Sequence, residues 1–92
     1  MRLRLSRPAA RQLDKVLTYI AAHNPQGARH VQERLQAVMD LLLLHPFAGH
    51  ITARRGIRRI LANPYPYAVT YSVGQNEVIV LGIRHTARRP LS

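Results

Sequence analysis

Ala28, Val31, Leu35, Val38 and Leu42 recur at alternating intervals of three and four residues. Only a helix of 3.6 residues per turn gathers positions so spaced onto one face. Leu41, Leu43 and Leu44 widen the stripe near its end, and Pro46 and Gly49 close it. The same spacing joins Leu13, Val16, Leu17 and Ile20, which predicts an earlier amphipathic helix over residues 8–23. Ser6 is a suitable N-cap for that helix, and Pro8 is tolerated in a first turn. Asn24-Pro25 ends the first helix and starts the second, with Asn24 as N-cap and Pro25 at the first helical position. So short a joint folds the two helices back as an antiparallel hairpin.

The apolar stripes need a surface to pack on, and the remaining chain reads as strands. Leu3 and Leu5 alternate with Arg2 and Arg4, a short strand with one apolar face. Residues 46–55 read as a loop. Gly56 opens a strand from Ile57 to Ala62 that carries Arg58 and Arg59, and Asn63-Pro64-Tyr65-Pro66 turns the chain. Tyr67, Val69, Tyr71 and Val73 alternate with Ala68, Thr70 and Ser72, as in a half-buried strand. Gly74-Gln75-Asn76 is a second turn. The continuous run Val78 to Ile83 predicts a strand buried on both faces. The expected order is β-α-α-β-β-β, one α+β domain over residues 1–92. In it an N-terminal strand and a helical hairpin pack on a mostly antiparallel sheet.

Charge narrows the function. The chain carries a net charge of +10. Its cationic residues are thirteen arginines and Lys15. Guanidinium is planar and suited to bidentate capture of carboxylates and phosphates. The expected partner is therefore anionic: nucleic acid, an acidic protein segment, or each in turn. No cysteine is present, which excludes disulfides and thiolate zinc sites. His23, His30, His45 and His50 show no metal-ligand spacing, and Asp14, Glu33, Asp40 and Glu77 are dispersed, so no metal or cofactor is expected. The N-terminus lacks the apolar run of a signal peptide. The longest apolar stretches, Leu41 to Leu44 and Val78 to Ile83, fall far short of the roughly 20 residues that span a bilayer. The expectation is a soluble cytoplasmic protein without membrane contact.

Several local patterns then converge in order along nearly the whole chain. They are Ser6 to Ile20 with Ala10, Leu13 and Ile20; Tyr19-Ile20 followed by Asn24-Pro25 and Ala28; "LLLHPFAG" from Leu42 to Gly49; Gly56-Ile57-Arg58; Tyr67 to Tyr71; and "IRHTARRP" from Ile83 to Pro90. Together they resemble the RelE/ParE toxin superfamily, and the ParE-like branch more than the RelE-like one. The resemblance implies the toxin half of a type II toxin–antitoxin pair. A ParE-like member is expected to inhibit DNA gyrase, without enzymatic activity, and to be neutralised by an acidic ParD-like antitoxin. A RelE-like member would instead be an endoribonuclease that cuts mRNA on the ribosome. A plain nucleic-acid-binding module is a third reading of the same charge.

RNA cleavage needs a proton acceptor, a proton donor and a cation at the phosphate. Arg58 matches the superfamily's strand arginine, and Arg84 and His85 sit where a second basic group belongs. Histidine can exchange protons near neutral pH, whereas arginine stays protonated. No tyrosine follows Tyr71, so the C-terminal tyrosine implied for RelE-like cleavage is missing. If the chain is a nuclease, Arg58, Arg84 and His85 are the candidates. If it acts by binding, the candidate contacts with antitoxin or target are Arg58, Arg59, Arg84, His85, Arg88 and Arg89. Arg58 also suits ion pairing with an antitoxin or a local carboxylate, His85 a hydrogen bond at a strand end, and Tyr65 and Tyr67 packing at a sheet edge or stacking on bases.

Overall fold

A computed structural model describes residues 1–87. The order is β1 (Arg2–Leu5), α1 (Arg7–His23), α2 (Pro25–Leu44), β2 (His50–Ile51), β3 (Arg58–Leu61), β4 (Tyr67–Val73) and β5 (Glu77–His85). The strands form one sheet in the order β1-β5-β4-β3-β2. β1 runs parallel to β5, and all other pairs are antiparallel. The helical hairpin lies on one face of this sheet.

The helix ends follow from their capping residues. The Ser6 hydroxyl accepts the Ala9 N–H at 3.2 Å. Asn24 serves both helices: its N–H donates to the Ile20 carbonyl at 2.7 Å, and its Oδ1 accepts the Gly27 N–H at 2.9 Å. One residue thus satisfies an orphan carbonyl of α1 and an orphan amide of α2.

The α2 stripe is the centre of the core. Ala28, Val31, Leu35, Val38 and Leu42 are all buried, with Leu35 at 1% exposure. Val31, Leu35 and Val38 meet Val69, Val80 and Ile83 from the middle strands, and Leu42 joins Tyr71 and Val78 in a second cluster. The α1 stripe differs: Leu13, Val16, Leu17 and Ile20 are only half-buried, and Ala9 is its one buried residue. α1 lies toward the margin of the sheet, beside β5 where β1 has ended. There the Gln12 side chain accepts the Ile83 N–H at 2.8 Å and occupies an edge that β1 does not reach.

Two expectations need correction. Residues 46–55 are not all loop, because His50 and Ile51 pair with Arg59 and Arg58 as an edge strand. Two residues carry no periodicity, so the pattern could not reveal them. The run Val78 to Ile83 is not buried on both faces. Val78, Val80 and Ile83 are buried beneath the helices, whereas Ile79 and Leu81 are half-buried on the other side. The register between β4 and β5 shifts between Thr70 and Tyr71, where Leu81 is the unpaired extra residue. Such a bulge leaves Ile83 on the helix side with Val80, although the two are an odd number of residues apart.

Candidate functional site

Successive strand residues point to opposite faces, and cross-strand partners share a face. The register therefore sorts the arginines. Arg59 pairs with Thr70, Arg84 with Ala68, and Arg4 with Ile79, all on the face away from the helices. Arg4, Arg59 and Arg84 are exposed, as is Leu61 beside Ala68. Between them the middle strands contribute small residues: Ala68, Thr70, Ser72 and Gly82. The result is a sheet face on which these small residues lie beside Ile79 and Leu81, with the guanidinium groups of Arg2, Arg4, Arg59 and Arg84 on the flanks. Arg4 forms an ion pair with Glu77, its Nε donating to Oε1 at 3.1 Å and Oε2 at 3.3 Å. Among the described residues no other arginine has a carboxylate partner.

Arg58 lies on the opposite face, paired with Tyr71. Its Nη1 donates to the Phe47 carbonyl at 3.3 Å and the Gly49 carbonyl at 2.9 Å. Its Cζ stands 5.0 Å from the centre of the Phe47 ring. The same loop is held from β4, where the buried Tyr71 hydroxyl accepts the Gly49 N–H at 2.8 Å. Gly49 is required there, because a Cβ would fall 2.6 Å from the Tyr71 oxygen and 3.0 Å from the Arg59 carbonyl oxygen. Arg58 is thus the clamp that ties the end of α2 to the sheet.

His85 pairs with Tyr67, on the helix side of β5. Its ring stands edge-on to Tyr67 with centroids 5.3 Å apart, and its Nδ1 accepts the Ala87 N–H at 3.1 Å. Tyr67 is buried and Tyr65 half-buried against the core, which favours packing over base stacking. Arg58 and His85 share a side, but their β4 partners Tyr71 and Tyr67 are four residues apart, about 13 Å along the strand. Arg84 projects from the other face. The sequence-level nuclease candidates are therefore not gathered at one point. Arg88 and Arg89 lie outside the described residues.

Sequence reasoning missed Arg4, Gln12 and the hydroxyl of Tyr71. The alternation of Leu3 and Leu5 with Arg2 and Arg4 placed Arg4 on the polar face of its strand, but not beside β5. That placement depends on a parallel pairing between residues more than seventy positions apart.

Among the described residues no group of His, Asp and Glu could hold a metal ion, and no helix is long and apolar enough to cross a membrane. Residues 3–90 match the family described as ParE toxin of type II toxin-antitoxin system, parDE. The toxin RelE2 of Caulobacter vibrioides is 31% identical over 87% of this chain and 89% of its own. The Y4kP protein of Sinorhizobium fredii is 27% identical over 91% of this chain and 86% of its own. A solved structure titled as the chromosomal ParDE TA system from P. aeruginosa superposes with a TM-score of 0.80. It covers 92% of this chain and 95% of that one at 22% identity, a likeness of fold.

Proposed function

Since this chain belongs to the ParE toxin family of type II toxin–antitoxin systems, we propose that it acts in the cytoplasm by blocking DNA gyrase and that an acidic ParD-like antitoxin neutralises it. The observation that supports a binding mode of action is the separation of the three titratable or cationic candidates. Two of the three are guanidinium groups, which stay protonated and serve only as cations, and the third is His85. Arg84 projects from the opposite face of the sheet, and Arg58, on the His85 side, pairs with Tyr71, four residues along β4 from the Tyr67 that pairs with His85. Cleavage needs a proton acceptor, a proton donor and a cation gathered at one phosphodiester. Binding makes no such demand. Arg59 and Arg84, with Arg88 and Arg89 further along the chain, offer a target guanidinium contacts that need no titration.

One observation favours the alternative, ribosome-dependent cleavage of mRNA: the identity to a toxin named RelE2. In that reading Arg58 and Arg84 stabilise phosphate charge and His85 moves the proton.

Growth arrest on induction separates the two. His85→Gln is expected to leave arrest intact, and reversal of charge at Arg84, Arg88 and Arg89 to relieve it. Arrest lost with His85→Gln in a protein that still folds contradicts the binding reading.

A further inference from the structure

Where α2 ends, the chain leaves large apolar side chains uncovered. Phe47 is 65% exposed and Ile51 76%. With Gly56, Ile57, Arg58 and Val73 they line a groove of about 250 Å³. The groove contains a cation fixed in advance. The carbonyls of Phe47 and Gly49 take Nη1 of Arg58, and the Phe47 ring lies under the guanidinium. Nε and Nη2 have no partner among the described residues. Guanidinium carries five N–H donors, so the edge bearing Nε and Nη2 is left for a planar anion. Residues 41–76 contain neither Asp nor Glu.

The neighbouring hairpin adds charge of the same sign. The Thr52 hydroxyl donates to the Ile57 carbonyl at 2.8 Å and accepts the Arg54 N–H at 3.2 Å. Gly56, at φ +77°, completes the turn, which tolerates such a value because glycine lacks a Cβ. The tip therefore presents exposed Arg54 and Arg55 from an ordered turn.

We propose that this groove receives an acidic, apolar segment of the antitoxin, with an apolar side chain between Phe47 and Ile51 and a carboxylate on the free edge of the Arg58 fork. The inference rests on the toxin–antitoxin reading and gives the antitoxin one definite seat. Charge complementarity selects the acid, because Arg58 is the groove's one charged lining residue and the neighbouring tip presents Arg54 and Arg55. The apolar floor selects a protein over a nucleic acid. A sugar–phosphate backbone offers little to cover Phe47 and Ile51, and Arg58 already occupies one side of the groove's one aromatic ring.

The test uses the full chain and its purified ParD-like antitoxin, with affinity read by isothermal titration calorimetry. Ile51→Glu places a like charge against the incoming acid at an exposed position, so folding should persist, as thermal melts will check. Affinity is expected to fall at least about tenfold. Arg58→Lys keeps the charge, loses the fork, and is expected to weaken binding as well. Gln32→Glu, which adds the same charge on the exposed side of α2, is expected to change affinity little. Unchanged binding by Ile51→Glu, or equal losses from Ile51→Glu and Gln32→Glu, overturns the proposal. So does an Ile51→Glu protein that loses a short DNA duplex but keeps the antitoxin. In each of those cases binding of the unaltered chain still stands. Failure of the unaltered chain to bind the antitoxin is a different result and sinks the toxin–antitoxin reading itself.

Discussion

Replacing Tyr71 with Phe removes one oxygen from the centre of the molecule and leaves the ring in place. That oxygen is the acceptor for the Gly49 N–H at 2.8 Å, and Tyr71 is fully buried. Gly49 is buried too, so its amide has no ready access to water after the change. A buried donor left without a partner costs about 1–3 kcal/mol, the desolvation that the lost bond had offset. The removed hydroxyl leaves little cavity, so the expected loss of stability stays within about 1–3 kcal/mol. For a domain of this size, whose total stability is on the order of 5–14 kcal/mol, that is a sizeable fraction. Urea unfolding should show a lower midpoint with an unchanged slope. Hydrogen exchange at the Gly49 amide should quicken more than at amides of α1, because the loop is released locally. A loss below about 0.5 kcal/mol, the range of an ordinary surface change, with the Gly49 amide still protected, would refute the clamp as described.

Leu35→Ala empties a position of α2 that is only 1% exposed and should cost about 2–5 kcal/mol by urea unfolding. A smaller effect than Leu13→Ala would contradict the assignment of α2 as the central helix. Asn24→Ala removes the side-chain cap of α2 and should cost roughly 0.5–2 kcal/mol, with exchange quickening at the Gly27 amide. Association with the antitoxin should slow as salt rises, because steering by exposed arginines is screened over about 10 Å at 0.1 M salt. An on-rate that stays flat across that range removes electrostatic steering from the account.

Local physics made part of this molecule legible in its sequence. The α2 stripe has only one way to be buried, and Leu35 and Leu42 lie where its spacing put them. Asn24 and Pro25 carry capping preferences strong enough to mark a joint. The alternation from Tyr67 to Val73 marked a strand at its observed bounds. Other features depend on distant partners and left no local mark. The half-burial of Leu13 and Leu17 follows from α1 lying at the sheet margin, which is set by how far β1 extends along β5. The strand at His50 and Ile51 exists because Arg58 and Arg59 lie opposite it. The site divides in the same way. Arginine content pointed to an anionic partner, but only the register shows that Arg59 and Arg84 share a face while Arg58 lies behind it. Nothing in the sequence marks the Phe47 and Gly49 carbonyls as the partners of Arg58, because main-chain acceptors have no residue signature.

The central claim is that this toxin works by binding rather than by cutting RNA. The most direct measurement is one preparation of purified protein in two assays, gyrase supercoiling of plasmid DNA and cleavage of mRNA on programmed ribosomes, each with the unaltered chain and with His85→Gln. The account predicts that both proteins inhibit supercoiling, that added antitoxin reverses the inhibition, and that neither cuts mRNA. Cleavage by the unaltered chain that disappears with His85→Gln, with supercoiling unaffected by either protein, would contradict it.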